Sequence, residues 1–138
     1  MGHAYAYRCE TCGFETTFNL GHGYLIHPQP LNEYLNGSIK LFHHKTHNAL
    51  KRLALKHKNL FLDASFKVYK CARCGLLHEK ICVALYDDGV PVYKSEFRCT
   101  ECRARLKLTN IHRLKNAICP VCRKDTFRSR PQKMVLWN

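Results

Sequence analysis

Apolar and polar residues alternate along three short segments of the chain, and two further segments are short apolar runs; both patterns are typical of β-strands. In the first segment, Phe14, Phe18 and Leu20 share one face at a period of two. The alternating segments are residues 14–20, 66–70 and 103–109, and the apolar runs are residues 81–86 and 90–93. We therefore expect a protein built largely from short antiparallel strands.

A turn sequence, Asp87-Asp88-Gly89, separates two of these segments. Aspartate and glycine readily adopt the turn conformations that connect paired strands, so residues 79–98 are predicted to form a β-hairpin. The apolar residues 134–137 near the end of the chain are expected to pack against one of the strands.

Between the first two strands the apolar period becomes helical. Residues 31–36 predict a short helix that ends at Gly37, and Ser38 is a suitable N-cap for a second helix that ends near residue 58. Its apolar positions are Ile39, Phe42, Ala49, Leu50, Leu53 and Ala54, and its cations are Lys45, Lys51, Arg52, Lys56 and Lys58. Such a basic amphipathic helix either packs as an insert with a solvated outer face or contacts phosphates.

The chain contains four Cys-x-x-Cys pairs, and we call each tight turn that carries such a pair a knuckle. Two thiolates from one tight turn can bind one metal ion, and two knuckles complete a tetrahedral four-sulfur zinc site. Two structural Zn²⁺ ions are therefore expected on Cys9, Cys12, Cys71, Cys74, Cys99, Cys102, Cys119 and Cys122.

Zinc is favoured over disulfides by the compartment that the sequence indicates. Residues 1–8 carry no apolar stretch of signal-peptide length, and no stretch approaches the roughly 20 apolar residues that span a membrane. We therefore predict a cytoplasmic protein without membrane contact, whose thiols stay reduced and available to metal. A structural zinc site contributes about 10–16 kcal/mol, so the metal-free chain should be largely unfolded.

The pairing of the knuckles defines the predicted domains. Because closing a longer loop costs more entropy, we expect sequential pairing, the first knuckle with the second and the third with the fourth. The alternative pairs the first with the third and the second with the fourth. Sequential pairing gives an N-terminal zinc ribbon at 1–78 with a helical insert at about 29–58, and a β-hairpin with a C-terminal ribbon at 79–138. The ninth thiol, Cys82, is expected to be a small buried residue.

The cysteine spacing resembles that of zinc ribbons. Cys9-x-x-Cys12-Gly13 and Cys71-x-x-Cys74-Gly75 have the usual glycine, whereas Arg103 and Arg123 stand in its place after the third and fourth knuckles. The order of knuckle, Gly21-x-Gly23, helical insert, second knuckle, hairpin and C-terminal ribbon resembles a group of small uncharacterised bacterial proteins. The resemblance implies a small zinc-stabilised α+β fold with two ribbons, and it implies no reaction.

The net charge of the chain indicates which class of partner it binds. The formal net charge is +13, and it falls to about +9 when eight thiolates and two zinc ions are included. Such an excess favours an anionic partner, so nucleic acid bound mainly through phosphates is predicted, with a protein partner as the alternative. The candidate contacts in the C-terminal ribbon are Arg103, Arg105, Lys107, Arg113, Lys115, Arg123, Lys124, Arg128 and Arg130. Tyr93, Phe97 and Phe127 either stack on bases or form the ribbon core.

Catalytic alternatives have less support from the sequence. Four paired knuckles among strands do not fit a thioredoxin-like site, whereas rubredoxin-like iron would suit Cys119-Pro120-Val121-Cys122 as well as zinc does. His43 and His47 have i, i+4 spacing but lack the glutamate of a metalloprotease motif. An HNH-type nuclease would use Asn48, His57 and either His22 or His27, without its usual acidic residue. We therefore predict a non-catalytic zinc-binding module.

Overall fold

The computed structural model describes residues 2–21, 28–37, 42–111, 113–114 and 117–137. Eight strands of these residues form a single antiparallel sheet. They are β1 (Gly2–Cys9), β2 (Glu15–Gly21), β3 (Gln29–Pro30), β4 (Leu60–Cys71), β5 (Leu77–Asp87), β6 (Val90–Lys94), β7 (Leu106–Leu108) and β8 (Phe127–Trp137). A small mixed fold, mostly antiparallel sheet with two helices, agrees with the predicted class at this level.

The long strand β4 organises the sheet. One edge pairs with β5 from Leu60 to Lys70, and the other edge pairs in turn with β3, β2 and β7. The contact with β2 is a single registered pair, Gly21 opposite Phe66. Beyond it the order continues from β2 to β1 and β8, so both ends of the chain lie in the same sheet.

The predicted hairpin is confirmed: β5 and β6 are antiparallel, with the turn at Asp88 and Gly89. The apolar segment 134–137 belongs to β8, which pairs with β1. The sequence pattern missed β1 entirely and found only the second half of β4, because consecutive apolar residues, Ala4 to Tyr7 and Leu60 to Leu62, hide the alternation there.

Two helices occupy the predicted insert, α1 (Leu31–Asn36) and α2 (His44–Lys56). The bounds of α1 agree with the prediction. Ser38, the predicted N-cap of α2, lies outside the described residues, and the helix begins at His44 with His43 as its cap. Phe42 therefore precedes the helix, which corrects the prediction that it is a helical residue.

The helices cover one face of β4 and β5. Leu31 and Tyr34 of α1 and Leu50 of α2 are buried against the sheet in one hydrophobic cluster. The sheet residues of this cluster are Leu60, Leu62, Ala64, Val83 and Leu85. A second cluster around Tyr7, Phe18 and Phe127 joins β1, β2 and β8, and a third around Tyr69 and Leu106 joins β4 and β7.

Candidate metal centres

All four knuckles have the same backbone structure. In each, two hydrogen bonds close the turn around the first cysteine. The amide of this cysteine donates to the carbonyl of the residue five positions later, as Cys9 does to Phe14 (2.8 Å). Its carbonyl accepts from the amide of the residue four positions later, the fifth residue of the knuckle, as Cys9 does from Gly13 (2.9 Å). The fifth residues all have a positive φ: 79° at Gly13, 76° at Gly75, 62° at Arg103 and 65° at Arg123. The two arginines thus adopt the turn geometry that glycine has in the first two knuckles.

The structure brings the eight predicted ligands together in two groups of four. One group is Cys9, Cys12, Cys119 and Cys122, and the other is Cys71, Cys74, Cys99 and Cys102. We call the first the outer site and the second the inner site, because the inner site lies between the outer knuckles along the chain. The first knuckle therefore joins the fourth and the second joins the third, so the predicted sequential pairing is wrong, and so is its cross-braced alternative.

Strand pairing produces this nested arrangement. At the inner site, the knuckle between β4 and β5 lies beside β7, because Cys71 is in register with Leu106. A bridge between Arg98 and Arg105 closes the base of the third knuckle. At the outer site, Cys9 at the end of β1 is in register with Phe127 of β8, which also pairs with Ala117 at the base of the fourth knuckle.

The sulfur positions suit a tetrahedral metal ion. Cys9 and Cys122 Sγ are 3.5 Å apart, and Cys12 and Cys119 Sγ are 3.6 Å apart. At the inner site the corresponding distances are 3.4 Å for Cys71 and Cys102 and 3.5 Å for Cys74 and Cys99. A tetrahedral zinc site with Zn–S bonds of about 2.3 Å separates its sulfurs by about 3.8 Å. Each group thus has the donor set and the size for one such ion.

The thiols of each group do not ionise alike. The Thr126 hydroxyl and nearby backbone amides lower the pKa of Cys9 to about 5, and the amide of Cys74 lowers that of Cys71 to about 6. Burial raises the pKa of Cys74 to about 12. Four thiolates this close together repel one another, so all four are stable as anions only with a cation between them.

Neighbouring polar groups support the sulfurs. At the outer site, Thr126 Oγ1 lies 3.3 Å from Cys9 Sγ and 2.7 Å from Thr11 Oγ1. At the inner site, His78 Nε2 lies 3.5 Å from Cys99 Sγ, and burial lowers the pKa of His78. A neutral imidazole that donates to a thiolate stabilises its charge, as outer-shell hydrogen bonds do in metal sites. Neither threonine nor His78 was singled out from the sequence, since their role depends on tertiary contact.

The two sites are in contact with each other. A Cβ atom at Gly75 of the second knuckle would lie 2.7 Å from Ile118 Cγ1, next to the fourth knuckle. Arg123 of the fourth knuckle and Glu101 of the third form an ion pair of 3.6 Å. One knuckle of the outer site therefore packs on the inner site.

Cys82 is buried on β5, as predicted for a small residue in an apolar segment. It packs in the third cluster with Tyr69 and Cys99 but belongs to neither group of four sulfurs. The proximity of Cys82 and burial both raise the pKa of Tyr69, with burial the larger effect.

The nine predicted phosphate contacts differ in their surroundings. Four form ion pairs: Arg105 with Glu96, Arg123 with Glu101, Arg128 with Glu10 and Arg130 with Glu15. Arg103, Lys107, Arg113 and Lys124 are exposed and have no carboxylate partner among the described residues, and Lys115 lies outside them. Of the three aromatic candidates, Phe127 is 1 % exposed in the core, so its stacking on bases is excluded. Tyr93 packs against the helices, and Phe97 lies edge-on to Tyr69.

The histidines of the insert have local contacts. His43 caps α2 and accepts from the Lys45 amide, whereas His47 is buried and its Nε2 lies 3.0 Å from the Tyr34 hydroxyl. His43 thus lies outside the helix, contrary to the prediction. His57 ends α2, with its Nδ1 2.8 Å from an Asp87 carboxylate oxygen, while Asn48 is exposed. His22 and His27 lie outside the described residues.

Comparison of the chain with family models, curated proteins and solved structures finds no match. Neither described helix is long and apolar enough to cross a membrane.

Proposed function

We propose that the chain is a non-catalytic nucleic-acid-binding protein, built on two structural zinc ions, one in each four-cysteine group. A site that supplies four cysteines has no open position for water or substrate, in contrast to catalytic zinc sites with three protein ligands. Zinc would stabilise the fold by holding distant segments together. The same four sulfurs suit iron, so metal analysis of the purified protein tests this part, with two zinc ions per chain expected.

The observation that carries the nucleic-acid proposal is the set of exposed cations without an acidic partner in the described part of the chain. In the C-terminal region these are Arg103, Lys107, Arg113 and Lys124. Helix α2 adds Lys45, Lys51, Arg52 and Lys56 on its exposed side. Cations that a protein leaves unneutralised are available to phosphates, and each phosphate contact releases counterions.

Salt dependence of oligonucleotide binding tests this proposal. Fluorescence anisotropy at several salt concentrations should give a log–log slope of about −4 to −7 if six to eight phosphates are contacted. Replacing Arg103, Lys107 and Lys124 by glutamine should flatten that slope by about two to three units.

A matched triple variant removes cations that have partners. Replacing Arg105, Arg128 and Arg130 by glutamine changes the net charge equally, but these side chains already neutralise Glu96, Glu10 and Glu15. A smaller change of slope is therefore expected. Absence of binding at low salt would contradict the nucleic-acid proposal.

A protein partner is the second candidate, and a feature of α2 favours it. Leu55 is 89 % exposed and borders a cleft of ≈ 430 Å³ between α2 and Tyr93. Ala49, Leu53 and Tyr93 also line this cleft, and a contiguous exposed apolar surface can mark a site of protein interaction. Loss of a nuclease-resistant partner on Leu55→Asp substitution, with oligonucleotide binding absent, would favour this function instead.

A further inference from the structure

The part of the sheet formed by β4, β5 and β6 has two unlike faces. Side chains alternate between the faces along a strand. One face, with Leu62, Leu85 and their neighbours, is covered by α1 and α2. The other face of the same strands begins at Phe61 of β4 and Tyr86 of β5.

Phe61 and Tyr86 form an aromatic pair on this second face. They are directly opposite in the β4–β5 register, which places their Cβ atoms about 4.5–5.5 Å apart. Phe61 is 43 % exposed and Tyr86 is half-buried. None of the three hydrophobic clusters of described residues includes either ring. Pro30 of β3 is opposite Phe61 and Pro91 of β6 is opposite Tyr86, so the rings lie between two prolines, and Phe61 keeps accessible ring surface.

Lysines occupy the same face further along the strands. Lys67 and Lys80 are directly opposite in register, and Lys94 of β6 is opposite Ala84. Like charges at opposed positions destabilise a sheet. Among the described residues of β4, β5 and β6, Asp63 is the one carboxylate on this face. The face thus carries an excess of positive charge.

The aromatic pair and the lysine pair are six residues apart along β4, a distance of about 20 Å. The Lys80 ammonium also lies 5.9 Å from the centre of the Phe97 ring. A cleft of ≈ 620 Å³ opens beside Lys67, at the edge of β4 between β2 and β7, and Thr109 and Asn110 line it. Between the two pairs, Ser65 is opposite Cys82, which is buried in the third cluster. The rings and the lysines thus lie at the two ends of a length that fits several nucleotides.

We propose that this face binds a single strand of nucleic acid, with bases stacked on Phe61 and Tyr86 and phosphates held by Lys67, Lys80 and Lys94. The inference rests on the proposed nucleic-acid function, specifies its ligand and adds a contact surface to the cations of α2 and of the C-terminal region. Only a single strand exposes the faces of its bases to side chains, because in a duplex those faces are stacked on one another. An acidic polypeptide would use the lysines but would gain nothing from ring stacking.

Two double variants test the two parts of the surface. Phe61→Leu with Tyr86→Leu keeps the apolar character but removes the rings, so binding of a fluorescein-labelled oligothymidine of 20 nucleotides should weaken about tenfold or more, with an unchanged salt slope. Lys67→Gln with Lys80→Gln should flatten the slope for the same oligonucleotide by about 1.4 units. Circular dichroism and a zinc content equal to that of the wild type establish that each variant is folded.

Matched controls lie away from this face. Leu55→Ala removes an exposed apolar side chain from α2, and Arg8→Gln with Arg73→Gln removes two cations elsewhere. Neither control should change the affinity for oligothymidine by more than about twofold.

The results of these binding experiments distinguish a failure of the single-strand surface from a failure of the proposed nucleic-acid function. Loss of oligothymidine binding in both face variants but in neither control supports the proposal. Wild-type binding that both face variants retain, or equal binding of a 20-base-pair duplex, would overturn the inference and leave the proposed function standing. Competition by a polyglutamate peptide of equal charge, as effective as unlabelled oligothymidine, would indicate an acidic polypeptide and also overturn it. No binding of either nucleic acid would overturn both.

Discussion

A residue with positive φ follows the second cysteine of every knuckle. This residue is glycine in the first and second knuckles and arginine in the third and fourth. The left-handed conformation costs an L-residue about 1 kcal/mol and costs glycine nothing. Gly13 and Gly75 avoid this cost, whereas Arg103 and Arg123 adopt a φ of 62° and 65°. The hydrogen bonds of the knuckle therefore outweigh the preference of the arginines.

The two glycines share a backbone conformation but differ in their surroundings. At Gly13 nothing lies within 4 Å of an added Cβ atom, whereas at Gly75 the atom would meet Ile118 at 2.7 Å. Gly13→Ala should cost about 1 kcal/mol of unfolding free energy from φ alone. Gly75→Ala should cost about 1–3 kcal/mol more, because the second knuckle could no longer pack on Ile118. Denaturant unfolding at fixed zinc concentration measures both, and equal costs would show that the two sites do not pack together as described.

At the scale of elements, α2 is the part whose packing the sequence pattern predicted best. Leu50 and Leu53 both face the sheet cluster, as their spacing implied, whereas Leu55 points to solvent. The start of the helix was predicted less well. Serine is a common N-cap, but the described cap is the ring of His43, which local sequence preferences do not favour.

A pair of leucine substitutions tests this packing. Leu50 is 0 % exposed, so Leu50→Ala should lower the unfolding free energy by about 2–5 kcal/mol through lost burial and the cavity left behind. Leu55→Ala in the same helix should change it by less than about 0.5 kcal/mol. Thermal or denaturant unfolding with saturating zinc decides this, and a large effect at Leu55 would mean that its side chain is covered in solution.

The knuckles could be predicted from sequence because each is local. Their hydrogen bonds join residues four or five positions apart, and the Cys-x-x-Cys spacing alone brings two sulfurs together. Their pairing is a tertiary property, since it depends on β8 lying beside β1 and β7 beside β4. Loop-closure entropy favoured sequential pairing by only a small amount, because its cost grows slowly with length. Formation of the sheet supplies much more free energy than that difference, so strand pairing decides the outcome.

Double substitutions at the cysteines distinguish the pairings. Cys9→Ser should remove one tightly bound zinc ion, and adding Cys119→Ser should remove no more, because both residues belong to the outer site. Combining Cys9→Ser with Cys71→Ser should remove both ions. Native mass spectrometry gives the counts. Sequential pairing requires the opposite result: two ions lost when Cys9→Ser is combined with Cys119→Ser, and one ion lost when it is combined with Cys71→Ser.

At the scale of the whole molecule, the nested sites connect the ends of the chain across one sheet. The inner site, the two helices and the first cluster all lie within residues 28–111. The outer site and the cluster around Tyr7 and Phe127 need the segments on both sides of that range. This arrangement defines an inner unit, residues 28–111, against which the segments on both sides of it pack. The predicted division into two domains at residue 78 lies within β5, and whether residues 1–78 and 79–138 fold independently stays a prediction.

Fragments of the chain test these two divisions directly. Residues 28–111 hold both knuckles of the inner site and should bind one zinc ion tightly, since all four sulfurs and the strands that position them are present. Residues 1–78 and 79–138 each hold one knuckle from each site, so neither should complete a four-sulfur site, and each should bind zinc far more weakly. Competition with a chromophoric zinc chelator measures these affinities, and Cys99→Ser in the 28–111 fragment serves as a control that abolishes its tight binding. One tightly bound ion in the fragment 1–78 would instead require the first and second knuckles to share a metal, and would contradict the nested arrangement.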